Sequence, residues 1–156
     1  MSDTHAPGNE ERLRAAIGPR ADYYLRCWRA MDESGKSYSW NWPACLLNTF
    51  WFAYRKMWAP TIVTALANLV AAPFLDPTRP MRFRIAALSL VGLSFVTGAF
   101  GNLLYRRQAE KLVAGPASLE QLRARGGVSL VLAIAAVVVL TVLSMAVGML
   151  PALVTA

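Results

Sequence analysis

From Val128 to Ala156 the chain carries no charged side chain, and no other feature restricts the fold as much. A helix needs about 20 predominantly apolar residues to cross a hydrocarbon core of about 30 Å. Two earlier blocks meet the same requirement: W-A-P-T-I-V-T-A-L-A-N-L-V-A-A-P-F-L over 58–75 and I-A-A-L-S-L-V-G-L-S-F-V-T-G-A-F-G-N-L-L over 85–104. Helices of a small soluble bundle carry a polar face, and these blocks carry only scattered Ser, Thr and Asn. Charged residues make up 16 % of the chain, against about 25 % in soluble domains. The apolar surplus falls almost wholly after Trp40.

The pattern predicts an all-α integral membrane protein with three transmembrane helices, at 58–75, 85–104 and 128–154. Amphipathic and interfacial helices over 20–57 precede them on the cytoplasmic side. Residues 1–19 are expected to be a disordered polar tail, and 105–127 a cytoplasmic loop with short helices. The 156 residues leave room for one domain. The start, M-S-D-T-H-A-P-G-N-E-E, has acidic residues where a signal peptide needs positive ones. The first span is therefore expected to serve as an uncleaved anchor.

Charge orients the spans. Thirteen of the 16 Lys and Arg residues lie before Trp58 or between Tyr105 and Gly127. Only Arg79, Arg82 and Arg84 lie on the other side, so the positive-inside rule puts the N-terminus in the cytoplasm and the C-terminus in the periplasm of a bacterial inner membrane. The net charge of +7 then suits the anionic inner leaflet, where each juxtamembrane cation is worth about 1 kcal/mol. Nucleic-acid binding would need a soluble basic domain or a recognisable module, and neither is visible.

Residues 40–58, W-N-W-P-A-C-L-L-N-T-F-W-F-A-Y-R-K-M-W, crowd seven aromatic rings ahead of the first span. Asn41 is a candidate N-cap and Pro43 falls in the first helical turn. Wound as one helix, Ala44, Leu47, Trp51, Tyr54 and Trp58 share a face. Trp and Tyr prefer the headgroup level, and Lys and Arg snorkel toward phosphates there. The expected lipid-contact residues are Trp40, Trp42, Trp51, Tyr54, Arg55, Lys56 and Trp58, on an interfacial helix, with a shallow re-entrant segment as the alternative. Tyr105, Arg106 and Arg107 repeat the arrangement after the second span. Upstream, R-A-D-Y-Y-L-R-C-W-R-A-M-D-E-S-G reads as an amphipathic helix with Tyr24, Cys27 or Trp28, and Met31 on its apolar stripe.

Tyr23-Tyr24, S-W-N-W at 39–42, F-W-F-A-Y-R-K-M-W at 50–58, G-N-L-L-Y at 101–105 and R-G-G-V-S at 125–129 resemble a family of small bacterial membrane proteins designated domain of unknown function 2628. The resemblance runs from about residue 20 to about residue 130. It implies the architecture and no chemistry. Two positions depart from the family's usual pattern. Pro43 stands where a small residue is common, and Asn48-Thr49 stands where a Gly-Pro pair often sits. The second departure leaves the helix less obviously broken here, which argues against the re-entrant alternative.

Catalytic signals are sparse. His5 is the single histidine and falls in the expected tail, so no nucleophile–His pair can be assembled. Cys27 and Cys45 lack C-x-x-C spacing and read as packed thiols. The apolar blocks hold no ionisable residue of the kind that marks proton or ion pathways. The reading is of a protein that is not an enzyme, with no cofactor, no metal and no catalytic residue. Ser94, Gly98 and Gly101 form a small-residue stripe on which another helix could pack closely. Asn68 and Asn102 are expected to hydrogen-bond to neighbouring helices. Ser118 with Gln121 forms a capping box opening a short helix in the loop.

Two kinds of function fit. One is a scaffold, accessory subunit or regulator working through the basic aromatic inner face, with a protein partner or second copy meeting the transmembrane helices. The other is a lipid- or small-solute-binding protein using the aromatic–cation sites.

Overall fold

The computed structural model describes residues 7–154, and His5 lies outside them. The described chain is helical: α1 (Pro7–Ile17), α2 (Ala21–Ser34), α3 (Trp42–Leu47), α4 (Thr49–Tyr54), α5 (Trp58–Ala71), α6 (Pro80–Ala114), α7 (Leu119–Arg125) and α8 (Leu130–Val154). A 3-10 turn over Ala72–Phe74 follows α5.

Two helices, α6 and α8, are long and apolar enough to cross a membrane. The first apolar block does not reach that length as one α-helix. Pro73 lacks the N–H that would continue the α-helical ladder, and its ring crowds the carbonyl four residues back, so α5 gives way to the 3-10 turn after 14 residues, about 21 Å. Asp76 then turns the chain, its Oδ1 accepting from the Thr78 N–H at 2.9 Å and the Thr78 hydroxyl at 2.7 Å. Pro80 occupies the first turn of α6, where its missing donor costs nothing.

The second apolar block extends further than hydropathy suggested. Helix α6 has 35 residues, about 52 Å. The chain after Leu104 is not a loop until Gly115, because R-R-Q-A-E-K-L-V-A consists mostly of strong helix formers. Arg106 and Glu110 pair across one turn at 2.8 Å.

The expected tail is corrected as well. Residues 7–17 form α1, and Leu13, Ala16 and Ile17 bury a narrow apolar stripe in the core. The Arg12 guanidinium fastens this helix by donating to the carbonyls of Val113 (3.0 Å), Gly115 (2.7 Å) and Ala117 (2.9 Å). A helix C-terminus leaves such carbonyls unpaired and carries partial negative charge, so a cation there is doubly favoured. The Gly127 N–H donates to the Ala16 carbonyl at 2.7 Å, tying the start of α8 to α1.

The single interfacial helix expected over 43–54 is two short ones. Asn48 separates them with φ +42° and ψ −114°. The Asn41 side chain caps α3 by accepting from the Ala44 N–H at 3.0 Å. Helix α3 then lies directly on α6, because Gly98 and Gly101 present no side chain there. A Cβ at Gly101 would stand 2.7 Å from Ala44 Cβ, and one at Gly98 2.8 Å from Cys45 Cβ.

The main core sits at one end of the molecule. Leu13, Ile17, Tyr24, Trp28, Met31, Trp51, Phe52, Met57 and Tyr105 pack together where α1 and α2 cover the C-terminal part of α6. The long helices expose large apolar side chains beyond this cap, among them Val63 and Val70 on α5, Leu88 on α6 and Val131 on α8.

Candidate functional site

The cap holds a buried cation. Helix α4 ends at Tyr54, and Arg55, next in the chain, turns inward with only 5 % of its surface exposed. Its Nη2 donates to the Tyr24 hydroxyl on α2 at 2.9 Å, and its Nη1 to the Tyr105 hydroxyl on α6 at 3.3 Å. The guanidinium carbon also lies 4.6 Å from the Tyr24 ring centroid, 4.8 Å from that of Tyr105 and 5.7 Å from that of Tyr54. Cation–π contacts of this kind stabilise by about 0.5–2 kcal/mol each, more as they are desolvated.

Tyr24, Tyr54 and Tyr105 thus form an aromatic box around the guanidinium, and among the described residues it holds no negative charge. The ion pairs among the described residues join Arg14, Arg79 and Arg106 to carboxylates, and none involves Arg55. Arg55 Nε is buried without a hydrogen-bond partner. Burying a charge without a counter-ion costs several kcal/mol, and two phenols answer only part of that cost. Burial pushes the Tyr24 phenol above its ordinary value of 10.0, with the charge of Arg55 opposing the rise. Tyr24 is a neutral donor at physiological pH, and its O–H hydrogen is not used by the bond from Arg55. Tyr105 donates its own to the Ile17 carbonyl at 3.3 Å.

Tyr24 and Arg55 lie on the wall of a cleft of about 360 Å³ between α2, the α3–α4 pair and the start of α8. Arg20 is a second cation on its wall. Leu47, Phe50, Leu130 and Ala133 make the rest of the lining largely apolar, and among the described residues no acidic side chain lines it.

The expected lipid contacts divide in two. Trp42 (63 % exposed), Trp58 (59 %), Trp40 and Arg107 are open to the surroundings. Trp51, Arg55 and Tyr105 are not, since all three are buried in the cap core. The reason is tertiary: the break at Asn48 turns α4 so that Trp51 and Arg55 face α2 and α6. The two aromatic–cation sites expected from the sequence are not separate either, because Arg55 from one and Tyr105 from the other share a single box. Tyr54 is half-buried beside it. Lys56 donates to the Ala124 carbonyl at 2.8 Å, and Arg106 pairs with Asp32 at 2.6 Å and with Glu110.

Among the helix-packing residues, Gly98 and Gly101 receive α3 rather than another long helix. Ser94 is half-buried and accepts from the Thr97 hydroxyl through its carbonyl at 2.9 Å. Asn102 is fully buried, donating to the Ser39 hydroxyl at 2.8 Å and accepting from Asn41 Nδ2 at 2.7 Å. The Trp28 indole donates to its carbonyl at 3.2 Å. Asn68 bonds chiefly to its own helix, at the Thr64 carbonyl (2.7 Å), and reaches Thr49 Oγ1 on α4 only at 3.4 Å. Both cysteines are free thiols. Among the described residues no three His, Cys, Asp or Glu groups converge on a metal site.

From the sequence, Arg20 reads only as a cation flanking the apolar stripe of α2, with no site role, and Tyr24 only as a packing residue. Its stripe position at i, i+4, i+7 with Trp28 and Met31 signalled burial, and nothing local signalled a cation above the ring.

The family described as "Protein of unknown function (DUF2628)" matches over residues 20–111, a stretch that includes Tyr24, Arg55 and Tyr105. No curated protein and no solved structure matches the chain.

Proposed function

The chain belongs to the DUF2628 family of proteins of unknown function, and from that premise we propose a non-enzymatic protein of the bacterial inner membrane that binds an anionic group at the inner leaflet. The N-terminal cap lies in the cytoplasm and the C-terminus in the periplasm. The observation that carries the reading is the buried Arg55, which is stacked on tyrosines, has no carboxylate partner among the described residues and lines a cleft at the basic end of the molecule.

Membrane placement draws on the split between the two ends. The cap carries Arg20, Lys56, Arg107, Lys111, Arg123 and Arg125, whereas α5, α6 and α8 expose apolar side chains on a scale that marks contact with hydrocarbon. Three crossings fit if α5 and its 3-10 turn count together. Their 14 and 3 residues reach about 27 Å at about 1.5 and 2.0 Å per residue. Phe74, at the far end, shares a cleft with Arg82 and Ile85 near the start of α6, so the segment runs antiparallel to that helix. The helix break at Asn48, with Leu46 and Leu47 exposed, suits a shallow re-entrant α3–α4 pair better than a helix lying flat in the interface.

A scaffold or accessory role is the second reading, favoured by the exposed cations of α7 and of the last turns of α6. Reporter fusions test the placement. Fusions within 76–79 are expected to report periplasm and fusions within 115–118 cytoplasm; both loops on one side of the membrane would overturn it. Copurification of a stoichiometric protein partner, with no anionic ligand retained, would move the scaffold reading to the front.

A further inference from the structure

We propose that the cleft beside Arg55 is a site for one anionic phospholipid of the inner leaflet, with a phosphodiester oxygen on Arg55 and an acyl chain along Leu47, Phe50, Leu130 and Ala133. This rests on the membrane placement above and gives the anionic ligand a chemical class.

The charge argument comes first. Arg55 is nine-tenths buried or more, and among the described residues no carboxylate pairs with it and its Nε lacks a partner. Among the described residues nothing lining the cleft carries negative charge, so none of them supplies the compensating charge, and a bound anion would. An oxyanion answers the need best, because charge-assisted hydrogen bonds to guanidinium are roughly twice as strong as neutral ones.

The shape of the donor set narrows the anion. Tyr24 and Tyr105 cover the guanidinium with their rings and take one bond each from Nη2 and Nη1. The flat fork is therefore not open for a wide bidentate clamp. What remains is Arg55 Nε, unpartnered but itself enclosed beside the cleft, together with the uncommitted Tyr24 hydroxyl hydrogen and Arg20 on the same cleft wall. Such a set suits a singly charged phosphodiester better than a phosphate monoester, which would demand more donors.

The apolar lining decides the source. Free phosphate gains nothing from Leu47, Phe50, Leu130 and Ala133, whereas an acyl chain buries methylene groups at about 0.8 kcal/mol each. Leu47 and Leu130 are themselves exposed, on the side where α3 and α8 meet hydrocarbon in the proposed placement. A lipid could thus enter sideways from the leaflet, headgroup at the cap and tail along α8.

The test uses full-length protein reconstituted in nanodiscs of phosphatidylcholine with phosphatidylglycerol as the minor component, then exchanged into mild detergent. Lipid retained per protein is counted by native mass spectrometry. Wild type is expected to keep one phosphatidylglycerol, and Arg55→Gln to lose it by about tenfold or more in retention. Tyr24→Phe keeps the ring and removes one donor; a several-fold loss in this variant sustains the proposal if Arg55→Gln does not fold. Arg107→Gln, an exposed cation away from the cleft, is expected to match wild type. Equal retention in every variant, or none in wild type, would overturn the site. Displacement of the lipid by millimolar inorganic phosphate would show a free-anion site instead and would also overturn it. Retention is read on purified protein, so failure here is separate from failure of the topology reporters.

Discussion

Helix α3 should be displaced by a single methyl group at Gly101, and the same methyl group at Gly92 should do no harm. Gly92 has open space around its notional Cβ, whereas at Gly101 that atom lies 2.7 Å from Ala44 Cβ. Carbon atoms settle at about 3.5–4.0 Å, so Gly101→Ala requires α3 to retreat by about 1 Å. Two bonds resist the retreat: the Asn41 N–H to the Gly98 carbonyl at 2.8 Å, and Asn41 Nδ2 to Asn102 Oδ1 at 2.7 Å. Overpacking costs about 1–3 kcal/mol, and each stretched bond adds up to about 1 kcal/mol. Both substitutions gain about 1 kcal/mol of helix propensity, so that term cancels between them. Gly101→Ala is expected to be less stable than Gly92→Ala by about 2–4 kcal/mol. Taking about 2–4 °C per kcal/mol for a chain of this length, their unfolding midpoints should differ by roughly 5–15 °C in one detergent, followed by tryptophan emission. Midpoints that agree within experimental error would refute the close docking of α3 on α6.

Two further outcomes are expected. Gly126→Ala would drive a Cβ into the Ala16 carbonyl and lengthen the adjoining bond from the Gly127 N–H, a combined loss of about 2–4 kcal/mol; limited proteolysis should then cut α1 faster than in wild type, and equal rates would count against the clasp. Because the folded protein raises the Tyr24 phenol above its ordinary 10.0 through burial, its contribution is complete below about pH 10 and is lost as pH rises through the folded value. The stability of wild type relative to Tyr24→Phe should therefore fall in that alkaline range, and parallel pH profiles would contradict it.

Much of the local structure was legible. The apolar runs at 85–104 and from 128 onward both form long helices, α6 and α8, as hydropathy predicts, although α6 runs on past its apolar block at both ends. Tyr24, Trp28 and Met31 all turn inward on α2, as their spacing requires. Asn41 and Ser118 cap α3 and α7, because a cap needs only residues within one turn. The end of α6 is not marked by the charges after Leu104; the helix runs on to Ala114 and breaks at the Gly115-Pro116 pair.

Three decisions belonged to tertiary structure. Helix α1 has so narrow an apolar stripe that periodicity alone suggests a tail; it is held by carbonyls about a hundred residues away, which no local window contains. Asn48 adopts a positive φ because α3 is drawn onto the glycines of α6 while α4 packs against α5 and α8, a conflict that Asn resolves without a Gly in the sequence. Arg55 is the sharpest case. A cation at the end of an aromatic run is correctly sent to the headgroups when its helix stands alone. Here tyrosines 31 residues before it and 50 after it close over the guanidinium, and contacts at that separation exist only once three helices have packed. The amino-acid order determined that this chain has long apolar helices and a basic cap. Where its central charge lies was decided by folding, because burying a cation takes partners that the chain can supply only from a distance.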